Sequence, residues 1–342
     1  MRENQHKPTI VSLFSGAGGL DRGFEEAGFQ TIWANEYDRE IWETFEANFP
    51  KSKLDRRSIC DVPSSDIPDC DGIIGGPPCQ SWSEAGSLRG ISDARGQLFF
   101  EFVRILRDKQ PKFFLAENVS GMLASRHSEA LANIKEMLRD SGYKLSFSCL
   151  NAVDYNVPQT RKRVFFVGVR EDLDQEFIFP ESGLKRLTLK DAIWDLRKSA
   201  VPALDKNHSN PQGLKMDCHE YLLGSFSTIY MSRNRVRGWD DPSFTIQAGG
   251  RHAPLHPQAP KMLKEEPDKH IFVPGSEHLY RRLSVRECAR IQTFPDNHRF
   301  IYKSLLAGYK MIGNAVPCNL ASALATEIKE QVVGKACESL TA

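Results

Sequence analysis

The stretch Thr9-Ile10-Val11-Ser12-Leu13-Phe14-Ser15-Gly16-Ala17-Gly18-Gly19 decides the fold. Six β-prone residues run into a serine and glycine turn, and Leu20, Phe24 and Ala27 then recur at helical spacing. Strand, glycine turn and helix in that order open a doubly wound α/β sheet. The same alternation continues outward, with strands expected at 30–34, 72–75 and 112–116 and helices at 37–48, 98–107 and 128–140. Residues 143–150 and 163–169 read as the last strands of a mainly parallel, Rossmann-like sheet. After about Glu171 the regularity fades. Polar, proline-punctuated text at 199–217 and 256–274 predicts a second, smaller and irregular domain. Ser284 followed by Glu287 predicts a capping box at the start of a helix reaching Ile291, and residues 317–332 predict a closing helix. The chain therefore divides into a catalytic and cofactor-binding part at 1–185, a recognition part and hinge at 186–302, and a segment returning to the first part at 303–342.

With 342 residues, 40% of them hydrophobic and 26% charged, the chain has ordinary globular composition and can bury a large core. No apolar run is long enough to cross a bilayer and no basic-then-apolar leader opens the sequence, so a soluble cytoplasmic protein without membrane partners is expected. Eight cysteines without CxxC pairs or Cys/His clusters argue against structural zinc, and no metal is expected. A net charge of +1 does not advertise nucleic-acid binding, which leaves only a local basic cluster to do so.

The chemistry starts at Gly75-Gly76-Pro77-Pro78-Cys79-Gln80-Ser81-Trp82-Ser83, where a short apolar run stops and presents a thiol behind two prolines. Such a cysteine is either a nucleophile held beside a cleft or an inert cap on a core strand. A second strand delivers Glu117 to the same edge. That carboxyl group serves as a proton donor if burial raises its pKa, or as a helix cap. Gln159-Thr160-Arg161-Lys162-Arg163 adds fixed positive charge that lowers a thiol pKa, grips a substrate or forms a solvated turn. The turn Gly16-x-Gly18-Gly19 departs from GxGxxG spacing, but Glu36, twenty residues past Gly16, is placed to accept hydrogen bonds from ribose hydroxyls. Together these features favour a nucleoside cofactor.

Seven motifs occur in one order: Phe14-Ser-Gly-Ala-Gly-Gly, Asn35-Glu36, Gly76-Pro-Pro-Cys79-Gln80, Glu117-Asn118-Val119, Gln159-x-Arg161-x-Arg163, Arg286-Glu-Cys-Ala-Arg290 and Gly313-Asn314-Ala-Val316-Pro317. In these the chain resembles the DNA (cytosine-5) methyltransferases over nearly its whole length. The wider text, including residues 81–90 and 231–237, is similar to the bacterial modification enzymes that act on GGCC. The resemblance implies an S-adenosylmethionine-dependent methyltransferase fold with a target-recognition domain, double-stranded DNA as partner, a flipped-out cytosine as substrate, and a monomer working beside a restriction endonuclease of the same specificity. Cys79 would add to cytosine C6, Glu117 would protonate or hydrogen-bond N3, and Arg163 with Arg161 would hold the base carbonyl and a phosphate. Phe14, Gly16, Gly18, Glu36, Tyr37, Ser58, Ile59, Pro78, Leu98, Asn314 and Val316 would bind the cofactor. Ser58 departs from the family pattern, which has Asp there to meet the adenine amino group, so altered adenine contacts are expected, with Asp61 as a substitute only in a rearranged loop.

Between 232 and 252 the chain carries Arg233, Arg235, Arg237 and Arg251 against Asp240 and Asp241. Arginine is the usual bidentate reader of guanine, and otherwise a phosphate contact or a solubilising charge; spacing of two suits an extended segment that aims alternate side chains at one groove. Thr245 with Ile246 resembles the family's threonine-aliphatic pair, and Gln80 and Ser83 open a loop, 80–96, expected to close on DNA. A DNA-binding protein on an inactive scaffold and an RNA methyltransferase are competing readings. The intact Cys79, Glu117 and Arg163 weigh against the first, and the recognition segment against the second.

Overall fold

The computed structural model describes residues 7–78, 94–183, 185–212 and 214–334. Its centre is a seven-stranded sheet: β1 (Thr9–Leu13), β2 (Gln30–Asn35), β3 (Lys53–Asp55), β4 (Gly72–Gly75), β5 (Phe113–Val119), β6 (Tyr143–Asn151) and β7 (Lys162–Arg170), in the order β3-β2-β1-β4-β5-β7-β6. The first five strands are parallel, as the alternation with helices requires. β7 lies inside β6 and antiparallel to both neighbours. The ten residues between β6 and β7 are too few for a crossover helix, so only a hairpin-like return is open to them.

Side chains alternate between two apolar layers. Ile10, Ile74, Leu115 and Val167 face one cluster, while Val11, Ile73, Phe114 and Phe166 face the other. Both faces are covered, which is why these strands read as continuous apolar runs rather than as polar-apolar alternation. Helices α1 (Gly19–Glu26) and α8 (Cys318–Ile328) cover the first face, and α3 (Ala94–Lys109) and α4 (Ser128–Arg139) the second. The C-terminal helix thus shares a core with β1, β5 and β7. Removing one such side chain, as in Phe114→Ala, costs about 3–5 kcal/mol.

α2 (Trp42–Asn48) begins later than its sequence suggests, because Asp38 N donates to Glu36 Oε1 at 2.8 Å and holds a turn before it. The region after β7 is irregular as expected, with two-stranded pairings at Val201–Pro202 with Glu220–Tyr221 and at Leu263–Glu266 with Lys269–Ile271. Its main core gathers α5 (Leu189–Ile193), α6 (Val285–Ile291) and α7 (Leu305–Asn314) around Leu283, Cys288 and Met311, together with Ala17 and Ile41 from the first part of the chain. The capping box is present: Glu287 N donates to Ser284 Oγ and Ser284 N to Glu287 Oε2. Helix α7 lies in text that carries no start signal beyond Ser304, and the sequence reading gives it no element of its own.

Candidate active site

The site lies beyond the carboxyl ends of the parallel strands, beside the β1/β4 junction where the chain's connections diverge to opposite sides of the sheet. At the end of β1 the backbone turns through Phe14 at φ 54°, Gly16 at φ 55° and Gly18 at φ 80°. Phe14 pays a small strain for this left-handed conformation. The turn is then pinned from outside. Gly16 N donates to Glu36 Oε2 at 2.9 Å, and Trp42 Nε1 donates to Glu36 O at 2.7 Å. Burial raises the pKa of Glu36, opposed by the backbone N–H groups of Asp38, Gly16 and Tyr37. The carboxylate thus closes the turn while keeping acceptor positions for a ligand.

A cavity of about 990 Å³ opens here. Phe14, Gly16, Glu36, Tyr37, Ser58, Ile59, Pro78, Leu98, Asn314 and Val316 all line it, so ten of the eleven expected cofactor residues converge. Gly18 does not line it. A Cβ on Gly18 would lie 2.1 Å from the Phe49 ring, so this glycine lets the turn pack down on α2. Ser58 caps the short turn Ile59–Asp61, its Oγ accepting from Cys60 N at 3.4 Å, and Asp61 points to solvent away from the cavity. The cavity suits an adenosyl ligand: Tyr37 offers a 70% exposed ring, and Ser15 Oγ is buried on the wall without a protein partner among the described residues. Its size falls within the usual range for ligand sites.

Glu117 and Arg163 line the same cavity. They project from paired strands, and Arg163 Nε donates to Glu117 Oε1 at 2.8 Å. Burial raises the Glu117 pKa, with Arg163 and then Arg161 opposing it, which is the direction expected of a proton donor. The exit of β4 passes directly beside this carboxyl group: a Cβ on Gly76 would be 3.3 Å from Glu117 Oε2. Asn118 Nδ2 grips that exit by donating to Pro77 O at 3.1 Å. The chain is therefore delivered to Pro78 on the cavity wall. Cys79, Gln80 and Ser83 lie outside the described residues. Cys70, at the other end of β4, is inert, its thiol pushed up to about 12 by burial.

Arg161 corrects the sequence reading. Rather than facing the cavity beside Arg163, its buried guanidinium donates to Ile246 O at 2.8 Å, Gly313 O at 2.8 Å and Ala315 O at 3.0 Å. Adjacent strand residues alternate in direction, and Arg161, two before Arg163, precedes the regular strand, so the same-side expectation fails there.

Arg233, Arg235, Arg237 and Thr245 line a second cavity of about 210 Å³ in the irregular part. Arg235 is a further correction. It is buried, its Nε donates to Tyr230 O at 2.7 Å and its Nη2 to Ile229 O at 3.0 Å, so its fork braces the loop. Arg233 and Arg251 are exposed, although Arg251 does not line this cavity, and Arg237 lies 4.2 Å over the Phe244 ring. Thr245 Oγ1 donates to Thr160 O at 2.7 Å, tying this segment to the chain just before β7.

Sequence reasoning missed His298. Its buried Nε2 lies 3.0 Å from Ala17 O in the glycine turn, and burial pulls its pKa down to about 3. The neutral ring therefore donates from Nε2 and clamps the turn from 281 residues away. No local motif signals such a long-range contact. Gln159 and Gln292 are buried as well, and their sequence neighbourhoods signal no separate role for either.

A family model for C-5 cytosine-specific DNA methylases matches residues 8–330. The chain is 58% identical over 95% of both chains to the type II methyltransferase M.FnuDI of Fusobacterium nucleatum, and 57% identical, over 94% of this chain and 95% of that one, to M.NgoPII of Neisseria gonorrhoeae. Among solved structures, a prophage-encoded DNA modification methyltransferase of E. coli superposes with a TM-score of 0.74 at 25% identity, covering 96% of this chain and all of that one. The DNMT2 of Spodoptera frugiperda superposes with a TM-score of 0.68 at 18% identity, covering 94% and 99%, and shares the fold.

Proposed function

Because the chain belongs to the C-5 cytosine-specific DNA methylase family, we propose that it methylates a cytosine within GGCC in double-stranded DNA, using Cys79 as nucleophile and Glu117 as proton donor. At the coarser level the chain is a sequence-specific type II DNA cytosine-5 methyltransferase of the restriction-modification kind, with S-adenosylmethionine as methyl donor. In this reading residues 1–185 hold cofactor and base, 186–302 read the DNA, and 303–342 return to the first part. The protein acts as a monomer, beside an endonuclease that cuts the same site.

The observation that carries the reading is the shared cavity: the cofactor turn and the Glu117–Arg163 pair open into one space whose wall is continued by Pro78, the residue before Cys79. C5 of cytosine is a poor nucleophile. Addition of the Cys79 thiolate to C6 moves the ring's electron pair toward C5, and a proton held by Glu117 at N3 takes up the charge that develops. Arg163 keeps Glu117 in place and offers its remaining donors to the base carbonyl. The Gly16 turn, Glu36, Ser58 and Asn314 would hold S-adenosylmethionine, which would supply the methyl group for C5 and leave as S-adenosylhomocysteine. Loss of the C5 proton to solvent water then expels the Cys79 thiolate, and N3 returns its proton to the Glu117 carboxylate, leaving 5-methylcytosine. The base must leave the duplex to reach this depth.

The test is base-resolution mapping of 5-methylcytosine after incubation with S-adenosylmethionine and mixed-sequence duplex DNA. Methylation confined to GGCC is expected. Another site refutes the specificity, and methylation by a Cys79→Ala variant refutes the mechanism.

A further inference from the structure

Three separate parts of the chain meet in one buried knot of side chains that the reaction itself does not use. Gln159 and Gln292 are 0% exposed and Arg161 is 1% exposed. Gln159 Oε1 accepts from Ile246 N at 2.8 Å, and its Nε2 donates to Gln292 Oε1 at 2.8 Å. Gln292 Nε2 in turn donates to Ile312 O at 2.8 Å and Ala315 O at 3.2 Å. Arg161 binds Ile246 O and also Gly313 O and Ala315 O. Ile246 is thus held at both its N–H and its carbonyl, and the same two side chains lead from it to the end of α7.

On one side of the knot, residues 243–247 border the arginine-lined cavity through Phe244, Thr245 and Gln247. On the other, Gly313, Asn314 and Ala315 line the cofactor cavity. The two backbones touch. A Cβ on Gly313 would lie 2.2 Å from Gln247 C and 2.3 Å from Ala248 N, so nothing cushions a shift of one against the other. A buried polar network has few low-energy arrangements, because each moved group leaves another unpaired. Displacing 243–247 therefore requires Gln159, Gln292 and Arg161 to re-pair or the 313–315 backbone to follow.

We propose that Gln159, Arg161 and Gln292 are positioning residues that couple the DNA-reading segment to the cofactor cavity, so that bound duplex and bound cofactor each tighten the other. The inference rests on the functional reading above, in which 232–252 reads DNA. It differs from that reading in assigning no contact with either ligand to the three side chains. Linkage requires the effect to be reciprocal.

The test measures the dissociation constant of S-adenosylhomocysteine by calorimetry, with and without a saturating GGCC duplex, and that of the duplex with and without S-adenosylhomocysteine. In the wild type each ligand tightens the other by the same factor, at least about fivefold. In Gln292→Glu, which keeps the acceptor for Gln159 and loses the donor to Ile312 and Ala315, the factor falls below about twofold. Gln159→Glu behaves alike, and the double variant adds little, since both break one chain of bonds. Tyr143→Phe removes a buried hydrogen bond to Pro111 O on the far side of the sheet and serves as control. Its factor stays at the wild-type value even where its melting temperature falls. Equal factors in wild type and node variants, with only stability reduced, overturn the proposal, as does a wild-type factor of one. Failure of the wild type to prefer the GGCC duplex over another sequence refutes the specificity instead, and is read from the duplex titration alone.

Discussion

Arg163 Nε lies 2.8 Å from Glu117 Oε1, and the two side chains are only 14% and 13% exposed. Burial raises the Glu117 pKa while the arginine charge restrains the rise. A rate that needs the protonated carboxyl group is full below the raised pKa and declines as pH rises through it. Glu117→Gln cannot titrate, so its single-turnover methylation rate falls about 10²- to 10⁴-fold and loses this decline. Arg163→Ala removes the restraining charge, and its decline moves to higher pH. Rate profiles from pH 5 to 9 check both. A decline that persists unchanged in Glu117→Gln assigns the proton to another group.

Ser58 lines the main cavity, and among the described residues its Oγ makes only a long contact with Cys60 N. Asp61 cannot stand in, being exposed and off the cavity wall. Ser58→Asp supplies a charged acceptor at the wall and tightens S-adenosylmethionine roughly tenfold, the worth of one charge-assisted hydrogen bond. Calorimetric titration measures it. An unchanged dissociation constant means that the carboxylate does not meet the adenine.

How far the sequence carries depends on how local each signal is. The strand-turn-helix at 9–27 and the capping box at Ser284 are read from neighbours, and both are present in the structure. The residues expected to bind the cofactor come from motifs far apart in sequence, and Phe14, Gly16, Glu36, Tyr37 and Pro78 among them meet because parallel β1, β2 and β4 deliver their carboxyl ends to one edge. What fails is side-chain direction outside regular strands. Arg161 and Arg235 carry the right charge at plausible spacing, but backbone carbonyls claim their donors, from distant segments for Arg161 and from the same loop five and six residues upstream for Arg235. His298 is invisible for the same reason: its partner, Ala17 O, is a backbone atom that only the folded chain brings near.

Arg235 and Arg237 are two residues apart and line one cavity, but their duties differ. Arg235→Ala removes two hydrogen bonds to the carbonyls of Ile229 and Tyr230 and lowers stability by about 2–4 kcal/mol, seen as a reduced denaturation midpoint. Arg237 binds no protein carbonyl or carboxylate among the described residues and stacks on Phe244 at the cavity. Arg237→Ala leaves the midpoint nearly unchanged and costs about 1–3 kcal/mol in discrimination for the cognate duplex. Competition binding against duplexes changed at single positions separates the two. A uniform loss over all duplexes makes Arg237 a phosphate contact rather than a base reader.

Asp21 sits in α1, one turn behind the cofactor loop, with no exposure to solvent. Its Oδ1 accepts from Thr31 Oγ1 at only 3.4 Å, and burial pushes its pKa from 3.8 to about 7. The folded state therefore binds this proton more tightly than the unfolded chain does. Between about pH 4 and pH 7 the folded protein holds the proton while the unfolded chain has released it, so this group's contribution to stability declines with rising pH. The decline levels off above pH 7 at roughly 4 kcal/mol, taking about three pKa units at 1.36 kcal/mol each. Asp21→Asn keeps the shape and removes the charge. Urea unfolding at pH 5, 6, 7 and 8 shows the variant gaining on the wild type as pH rises, with most of the gain between pH 5 and 7. Parallel stability curves for the two proteins across that range place the Asp21 pKa outside it and remove this residue from the pH response.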